Sequence, residues 1–310
     1  MRVAVVQAAP VPLDLRASLS KLEALLREAA GRGAELVAFG ETWLSGYPVW
    51  LDYCGDAALW NHEPTKRLFA RMRASSVVVP SATTEAIGNT ARELGVVVVI
   101  GVNERVERGA GHGTLYNALL TFDADGRLVR HHRKLVPTYT ERLVWGPGDG
   151  AGLVSADTKA GRVGGLICWE HWMPLARQAL HDSGERIHVA VWPTVHEMHQ
   201  IASRHYAFEG RCFVLAAGSV LRARDLPAEL QRPEGLTDEA LLLRGGSAVI
   251  GPDGMYVAGP IFDEETILVA DIDPEAVDRE VMTLDVTGHY ARPDVFTFEV
   301  APSLRPRRSD

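Results

Sequence analysis

Short apolar runs separated by stretches of helical periodicity constrain the fold of this chain most strongly. Val96–Ile100 is an uninterrupted β-branched run, which predicts a strand buried on both faces. Val3–Val6 and Glu35–Phe39 are two further apolar runs, and Leu13–Ala30 lies between them with leucines at helical spacing before Gly31. A strand, a helix and a second strand in this order are typical of α/β proteins.

Two turn signals exclude a purely parallel sheet. Asp123–Gly126 separates the apolar segments Leu115–Phe122 and Leu128–Arg133, and Pro252–Gly254 marks a second hairpin. Further strands are predicted at Val163–Ile167, Val189–Trp192, Phe213–Ala217 and Ile267–Ile272, and helices at Glu85–Leu94, Leu175–His181 and His199–Glu209. Strands that alternate with helices and are twice interrupted by hairpins predict a mixed-sheet sandwich with helices outside.

The chain has 310 residues and no linker that would divide it. We therefore expect a single domain over residues 1–300 and a flexible C-terminal tail over residues 301–310. Residues 222–241 are polar and contain prolines, which predicts an excursion on the surface.

Composition narrows the class of partner and the compartment. The net charge is −8 without a basic stripe, so the expected partner is a small molecule rather than nucleic acid or an anionic membrane. No stretch approaches the roughly 20 apolar residues of a membrane helix, and the first apolar run lacks a signal-peptide cleavage site. An odd set of three cysteines favours a reducing cytoplasm over a disulfide framework.

Cys168 closes the apolar strand Val163–Ile167 and is followed by Trp-Glu-His and the start of a helix. A nucleophile at such a turn lies at a sheet edge, where the next backbone N–H groups can face a developing oxyanion. A buried structural cysteine is the alternative, and this segment by itself does not decide between the two. Cys212 leads into an apolar run and is expected in the core, while Cys54 lies in a loop without an obvious base.

A thiol needs a base before it attacks, and three residues near strand ends offer the chemistry. Glu41 follows Glu35–Phe39, and a desolvated carboxylate there would take up a proton near neutral pH. Lys134 follows Leu128–Arg133 and could stabilise an anionic intermediate, while Glu141 could hold Lys134 or act as a second acid or base. A solvated loop acid, a basic strand terminus and a surface acid are the alternatives for the three residues.

Three segments together resemble the catalytic motifs of the nitrilase superfamily. They are Phe39-Gly-Glu-Thr-Trp-Leu-Ser-Gly-Tyr-Pro48, His132-Arg-Lys-Leu-Val-Pro-Thr138 and Gly165-Leu-Ile-Cys-Trp-Glu170. The resemblance implies Glu41 as the general base, Lys134 as the stabiliser of the intermediate and Cys168 as the nucleophile. Glu141 matches a second glutamate that the family has near the lysine.

Longer flanking segments resemble the nitrilase branch rather than the amidase branches. They are residues 141–150, 168–177, 202–211, 245–250 and 288–296, so the resemblance covers nearly the whole chain. Two departures stand out. His171 lies where many nitrilases have asparagine, which we interpret as a subgroup difference, and the chain ends before the tail that long nitrilases use in spiral assembly.

The resemblance implies a four-layer α-β-β-α sandwich with mixed sheets and at least a homodimer. It implies that an organic nitrile is hydrolysed to the carboxylic acid and ammonia through a Cys168 thioimidate and then a thioester. No metal or organic cofactor is expected, and the His and Cys residues lack the close paired spacing of a zinc site. An amidase or carbamoylase, or a nitrile or cyanide hydratase, with the same triad is the alternative.

Aromatic side chains near these motifs are expected to line an apolar slot for the organic part of a nitrile. They are Trp169, His196, Tyr53 and Trp145. A place in the core is the alternative for each. A nucleotide-binding module of α/β class is disfavoured, because Gln7–Pro12 after the first strand contains no glycine-rich phosphate loop.

Overall fold

Thirteen strands and seven helices account for the regular structure of residues 1–301, the part of the chain that the computed structural model describes. The strands are β1 (Arg2–Gln7), β2 (Leu36–Phe39), β3 (Val97–Arg105), β4 (Leu115–Phe122), β5 (Leu128–Arg133), β6 (Ala156–Thr158), β7 (Gly161–Ile167), β8 (Ile187–Val191), β9 (Phe213–Ala217), β10 (Val220–Arg222), β11 (Leu241–Ile250), β12 (Tyr256–Phe262) and β13 (Thr266–Asp271). The helices are α1 (Leu15–Gly31), α2 (Trp50–Tyr53), α3 (Glu63–Ala74), α4 (Ala82–Leu94), α5 (Pro174–Asp182), α6 (Glu197–Gly210) and α7 (Glu275–Glu280).

Local signals explain where the two long helices of the first half begin and end. The side chain of Asp14 accepts a hydrogen bond from the N–H of Ala17 and caps the start of α1. The hydroxyl of Thr84 accepts a hydrogen bond from the Ser81 N–H at the start of α4, which begins three residues earlier than the apolar periodicity predicts. Gly95 ends α4 with φ of +68°, a conformation that glycine adopts without strain.

The strands form two mixed sheets. The first sheet has the order β13-β1-β2-β3-β4-β5, and the second has the order β10-β11-β9-β8-β7-β6, with β12 paired to β11. Parallel pairs lie at the centre of each sheet, β1-β2-β3 in the first and β7-β8-β9 in the second. The antiparallel pairs β4-β5 and β11-β12 are the two predicted hairpins.

Alternate side chains of β1 enter two different cores, which explains why Val3–Val6 is apolar at every position. Val3 and Val5 pack between the two sheets, against side chains of β9 and β11. Ala4 and Val6 pack outward, against α1 and α4. Side chains of α5 and α6 complete the core on the second sheet. The predicted four-layer α-β-β-α sandwich is confirmed.

Two features differ from the sequence-based expectations. Residues 222–241 are not only a surface excursion, because Leu226 and Leu230 are buried in a third cluster with Trp50 and Met72. The helix α3, which supplies Met72, is also absent from the prediction. Both follow from contacts between segments distant in sequence.

Of the expected tail, residues 302–310 lie outside the described residues. No helix within residues 1–301 is long and apolar enough to cross a membrane.

Gly101 in β3 lies against the turn that contains Glu41. A Cβ atom on Gly101 would overlap the backbone of Gly40 and Thr42, so Gly101→Ala is expected to lower the free energy of unfolding by about 1–3 kcal/mol. The matched control is Gly31→Ala at the end of α1, where a Cβ atom would meet no atom within 4 Å. Urea denaturation measures both variants, and equal stability would contradict this close packing.

Candidate active site

Four side chains from separate parts of the sequence meet at one edge of the two sheets. Glu41 follows β2, Lys134 follows β5, and Cys168 follows β7. Glu141 lies in the short 3-10 turn Tyr139–Leu143. All four are at least 96% buried, so the predicted triad and the second glutamate are brought together in a site screened from water.

Lys134 lies between the two carboxylates. Its Nζ donates to Glu41 Oε1 at 3.0 Å and to Glu141 Oε2 at 2.6 Å. Burial alone lowers the pKa of Lys134, but the negative charges of Glu41 and Glu141 outweigh burial and hold the pKa above its ordinary value. The ammonium group therefore remains charged through the neutral pH range.

Only one carboxylate oxygen of Glu41 has hydrogen-bond partners among the described residues. Its Oε1 accepts from Lys134 and from Asn117 Nδ2, at 2.6 Å for the amide, whereas its Oε2 has no hydrogen-bond partner within residues 1–301. Burial raises the pKa of Glu41 to about 7, although Lys134 opposes that shift. A buried carboxylate with a free oxygen and a pKa near neutrality can accept a proton from a neighbouring thiol.

Cys168 occupies a strained turn. Its φ is +52°, in the left-handed region that non-glycine residues seldom adopt. Burial raises the pKa of the Cys168 thiol well above its ordinary value, and Glu41 adds to this while Lys134 and a hydrogen bond from the Trp169 N–H oppose it. The resting thiol is therefore protonated, and attack on an electrophile requires a base at that moment.

Glu141 is fixed on three sides. Its Oε2 accepts from the Thr138 N–H at 2.7 Å as well as from Lys134, and its Oε1 accepts from the hydroxyl of Tyr47 at 3.0 Å. With both oxygens engaged, Glu141 is suited to holding Lys134 in place. Tyr47 was not singled out by its sequence, although it lies in the same segment as Glu41.

Glu170 joins the two sheets at the site and was also missed. Its carboxylate accepts from the N–H of Leu135 and from the N–H of Ile167, both at 2.8 Å, and contacts His132 Nε2 at 2.9 Å. Leu135 follows Lys134 and Ile167 precedes Cys168, so one buried carboxylate sets the spacing of the two strand ends. Its position two residues after the cysteine was the available signal.

Ligand atoms of Glu41, Glu141 and Cys168 lie within 4.8 Å of one another, which is a spacing that a metal ion could use. Lys134, however, donates to both carboxylates. Its ammonium group supplies the positive charge that two buried carboxylates need, and a second cation there would be repelled.

A cavity of about 520 Å³ opens onto Cys168 and Glu141. Three of the four predicted pocket residues, Tyr53, Trp169 and His196, line it. Trp145 does not line this cavity: its ring is buried and its indole N–H donates to Asn103 Oδ1 at 3.0 Å. It packs against Tyr47, with ring centroids 5.8 Å apart, and so supports the wall from behind.

Comparison with known proteins identifies the family to which the chain is related. The family model described as carbon-nitrogen hydrolase matches residues 2–279. An aliphatic nitrilase of Sinorhizobium fredii is 44% identical over 96% of this chain and 95% of that protein, and a bifunctional nitrilase/nitrile hydratase of Nicotiana tabacum is 37% identical over 97% and 86%.

Solved structures agree with the fold. A carbon-nitrogen hydrolase superfamily protein of Xanthomonas campestris superimposes with a TM-score of 0.70 at 20% identity, covering 97% of this chain and 99% of that chain. Structural likeness at this identity concerns the fold alone. The family match and the full-length relatives together show that the chain belongs to the carbon-nitrogen hydrolase family, on its nitrilase branch.

Proposed function

We propose that this protein hydrolyses an organic nitrile to the carboxylic acid and ammonia. The observation that supports the proposal most directly is the free Oε2 of Glu41, on a carboxyl group whose pKa is raised to about 7 by burial, beside the protonated thiol of Cys168. This pair can create a thiolate only when an electrophile is present. The relatives named as nitrilases at 44% identity support a nitrile as that electrophile.

In the first half of the proposed reaction, Cys168 gives its proton to Glu41 while the sulfur attacks the nitrile carbon. One π pair of the triple bond moves to nitrogen, which receives the proton from Glu41, and a thioimidate forms. Lys134 and the backbone N–H of Trp169 stabilise the negative charge that develops on nitrogen. Lys134 remains held by Glu141, which is a positioning role for the second glutamate.

In the second half, water gives a proton to Glu41 and adds to the thioimidate carbon. Glu41 returns this proton to nitrogen, which gives the tetrahedral intermediate. A lone pair of the hydroxyl oxygen then forms the C=O bond, the hydroxyl proton passes to nitrogen, and the C–N bond breaks with its electron pair on nitrogen. Ammonia leaves and a thioester remains. A second water, again activated by Glu41, attacks the thioester carbon, and the thiolate leaves with the proton restored to it. The sum is one nitrile and two waters converted to one acid and one ammonia.

Release of the amide is a second candidate outcome, because relatives at 37% identity are named as bifunctional nitrilase/nitrile hydratases. If sulfur leaves the tetrahedral intermediate before nitrogen does, the product is the amide. A panel of matched nitriles and amides, assayed for ammonia, acid and amide, separates the candidates. Turnover of amides without turnover of nitriles would favour an amidase and contradict the proposal.

The same proposal includes a cytoplasmic location, a single catalytic domain and a homodimer or larger homo-oligomer. All three cysteines are free thiols, which suits a reducing compartment. One face of α6 exposes the apolar side chains of Met198, Ile201 and Phe208 at helical spacing, which is a face suited to pairing.

Replacement of Cys168 tests the covalent step. Cys168→Ala is expected to abolish nitrile turnover, because no other buried thiol lies beside Glu41. Cys54→Ala, the matched control at the end of α2, is expected to keep turnover. Mass spectrometry of the wild-type enzyme during turnover should find an acyl adduct on the peptide with Cys168, and an adduct elsewhere would sink the scheme.

The pH profile tests Glu41 as the base. Because only the ionised carboxylate can accept the thiol proton and its pKa is raised to about 7, kcat/KM should fall below pH 7, about tenfold per pH unit once titration is complete. Glu41→Gln should remove activity at every pH. Asp52→Asn, an acid at the cavity mouth, is the control and should leave the midpoint unchanged, whereas a shifted midpoint would assign the titration to Asp52.

A substitution on the exposed apolar face of α6 tests whether the protein forms an oligomer through that face. The wild-type protein is expected to sediment as a dimer or larger species, and Ile201→Glu should shift it toward the monomer because a charge cannot be buried in an apolar interface. Val154→Glu, another exposed apolar position outside α6, is the control and should leave the mass unchanged. A wild-type monomer at micromolar concentration would contradict this part of the proposal.

A further inference from the structure

Three buried titratable side chains form a hydrogen-bonded row that starts at the backbone of Cys168. His171 Nδ1 lies 2.7 Å from the carbonyl oxygen of Cys168. His171 Nε2 lies 3.0 Å from His188 Nε2, and His188 Nδ1 lies 2.9 Å from Glu185 Oε2. None of the reaction steps above uses this row.

The surrounding structure holds the row in place. The His171 ring stacks on Trp192, with centroids 4.6 Å apart and planes inclined by 26°. Gly164 of β7 makes room for Glu185, because a Cβ atom there would overlap the carboxylate. The hydroxyl of Tyr206 donates to the other oxygen of Glu185. The close approach of Glu185 thus explains why the Gly164–Gly165 segment has a glycine at position 164.

The row needs one more proton than its neutral imidazoles supply. The carbonyl oxygen at one end and the carboxylate at the other are both acceptors, so its three contacts require three protons. Two neutral imidazoles carry only two. With both imidazoles neutral, one contact of the row therefore lacks a proton, and an additional proton, with Glu185 as its counter-charge, would complete all three.

The position of this proton follows from the surroundings. Burial lowers the pKa of His171 to about 3, so His171 is neutral and carries its one proton on Nδ1, toward Cys168. Burial also holds the pKa of His188 below its ordinary value, although the adjacent Glu185 opposes that shift, so His188 takes up the extra proton only at acidic pH.

Other charged and titratable groups face the row from several elements. Arg130 on β5 and His181 on α5 disfavour a proton on His188, and Glu170 and Glu185 favour positive charge at His171. On α6, Tyr206 and Glu209 contact Glu185 and His181 respectively. Because burial and two cations oppose it, the extra proton is lost as the pH rises. The contact between the two Nε2 atoms then lacks its proton, while His171 keeps the proton on Nδ1 that faces the carbonyl.

One rigid peptide unit connects this row to the chemistry. The carbonyl of Cys168 and the N–H of Trp169 belong to the same planar group and point in opposite directions. The Trp169 N–H is the group that donates to the Cys168 thiol. A donor on the carbonyl therefore fixes the direction of the N–H, at a residue whose φ of +52° does not hold it by preference.

We propose that His171 is a positioning residue, which donates its Nδ1 proton to the Cys168 carbonyl, is held in place by His188, and so aims the Trp169 N–H at the reacting atoms. The inference rests on the proposed function for its effect on turnover. Its effect on the thiol does not depend on the substrate.

A matched pair of variants separates the donor from the ring. His171→Phe keeps the stacked ring without a donor, and His171→Asn keeps a donor at the position of Nδ1 without the ring. If the donor matters, H171N keeps kcat close to wild type and H171F lowers it at least about tenfold, since loss of one oxyanion donor costs about 100-fold or more. KM should change in neither variant, and both should be compared with wild type in melting temperature.

Alkylation of Cys168 by iodoacetamide gives a readout without substrate. In H171F the pH midpoint of alkylation should rise by about one pH unit, the equivalent of one hydrogen bond to a charged group. In H171N it should stay at the wild-type value. Equal midpoints in H171F and wild type, or equal losses in H171F and H171N, would overturn the inference. A wild-type protein inactive on nitriles would contradict the proposed function alone, because the alkylation result still decides the role of His171.

Discussion

The charge balance of Glu41, Lys134 and Glu141 is the interaction on which the rest of the site depends. Two buried carboxylates share one ammonium group, so the site has an excess of negative charge next to the thiol. Burial raises the pKa of Cys168 well above its ordinary value and that of Glu41 to about 7, and the excess negative charge adds to both shifts because each ionisation disfavours the other. A proton can then pass from sulfur to carboxylate with little change in the total charge. Activation of the nucleophile is therefore a transfer within the site and does not need exchange with bulk water.

Such a cluster is costly to bury, and the fold offsets the cost with fixed hydrogen bonds. Asn117 on β4 illustrates this, since its side chain donates to Glu41 and its backbone carbonyl accepts from the N–H of Lys134. Glu170 does the same across the sandwich, between the end of β5 and the end of β7. The first sheet thus contributes Glu41 and Lys134, the second contributes Cys168, and the two sheets are held together at the point where these residues meet. Loosening either connection would separate the base from the nucleophile.

Features that depend on contacts between residues close in sequence were predicted, and features that depend on contacts between distant residues were not. The bounds of β4 and β5 follow from the turn between them and were predicted without error. The meeting of Glu41, Lys134 and Cys168 was also predictable, because parallel strands end at a common edge. The burial of Leu226 and the place of Trp145 behind the cavity were not, because partners distant in sequence decide them. Nor could the sequence reveal the hydrogen bond from Tyr47 to Glu141, which depends on how two loops cross.

The strained conformation of Cys168 and the shape of the cavity are determined by different parts of the chain. A positive φ at a non-glycine residue persists only where its surroundings over-determine it. Here Glu170 holds the N–H of Ile167, and His171 contacts the carbonyl of Cys168 itself. All these restraints lie within one short turn and in the buried layers behind it. The cavity walls, by contrast, come from segments such as α2 and the start of β11. Changes in those walls can therefore alter which nitrile fits without moving the sulfur or its base, so the specificity of the enzyme is separable from its chemistry.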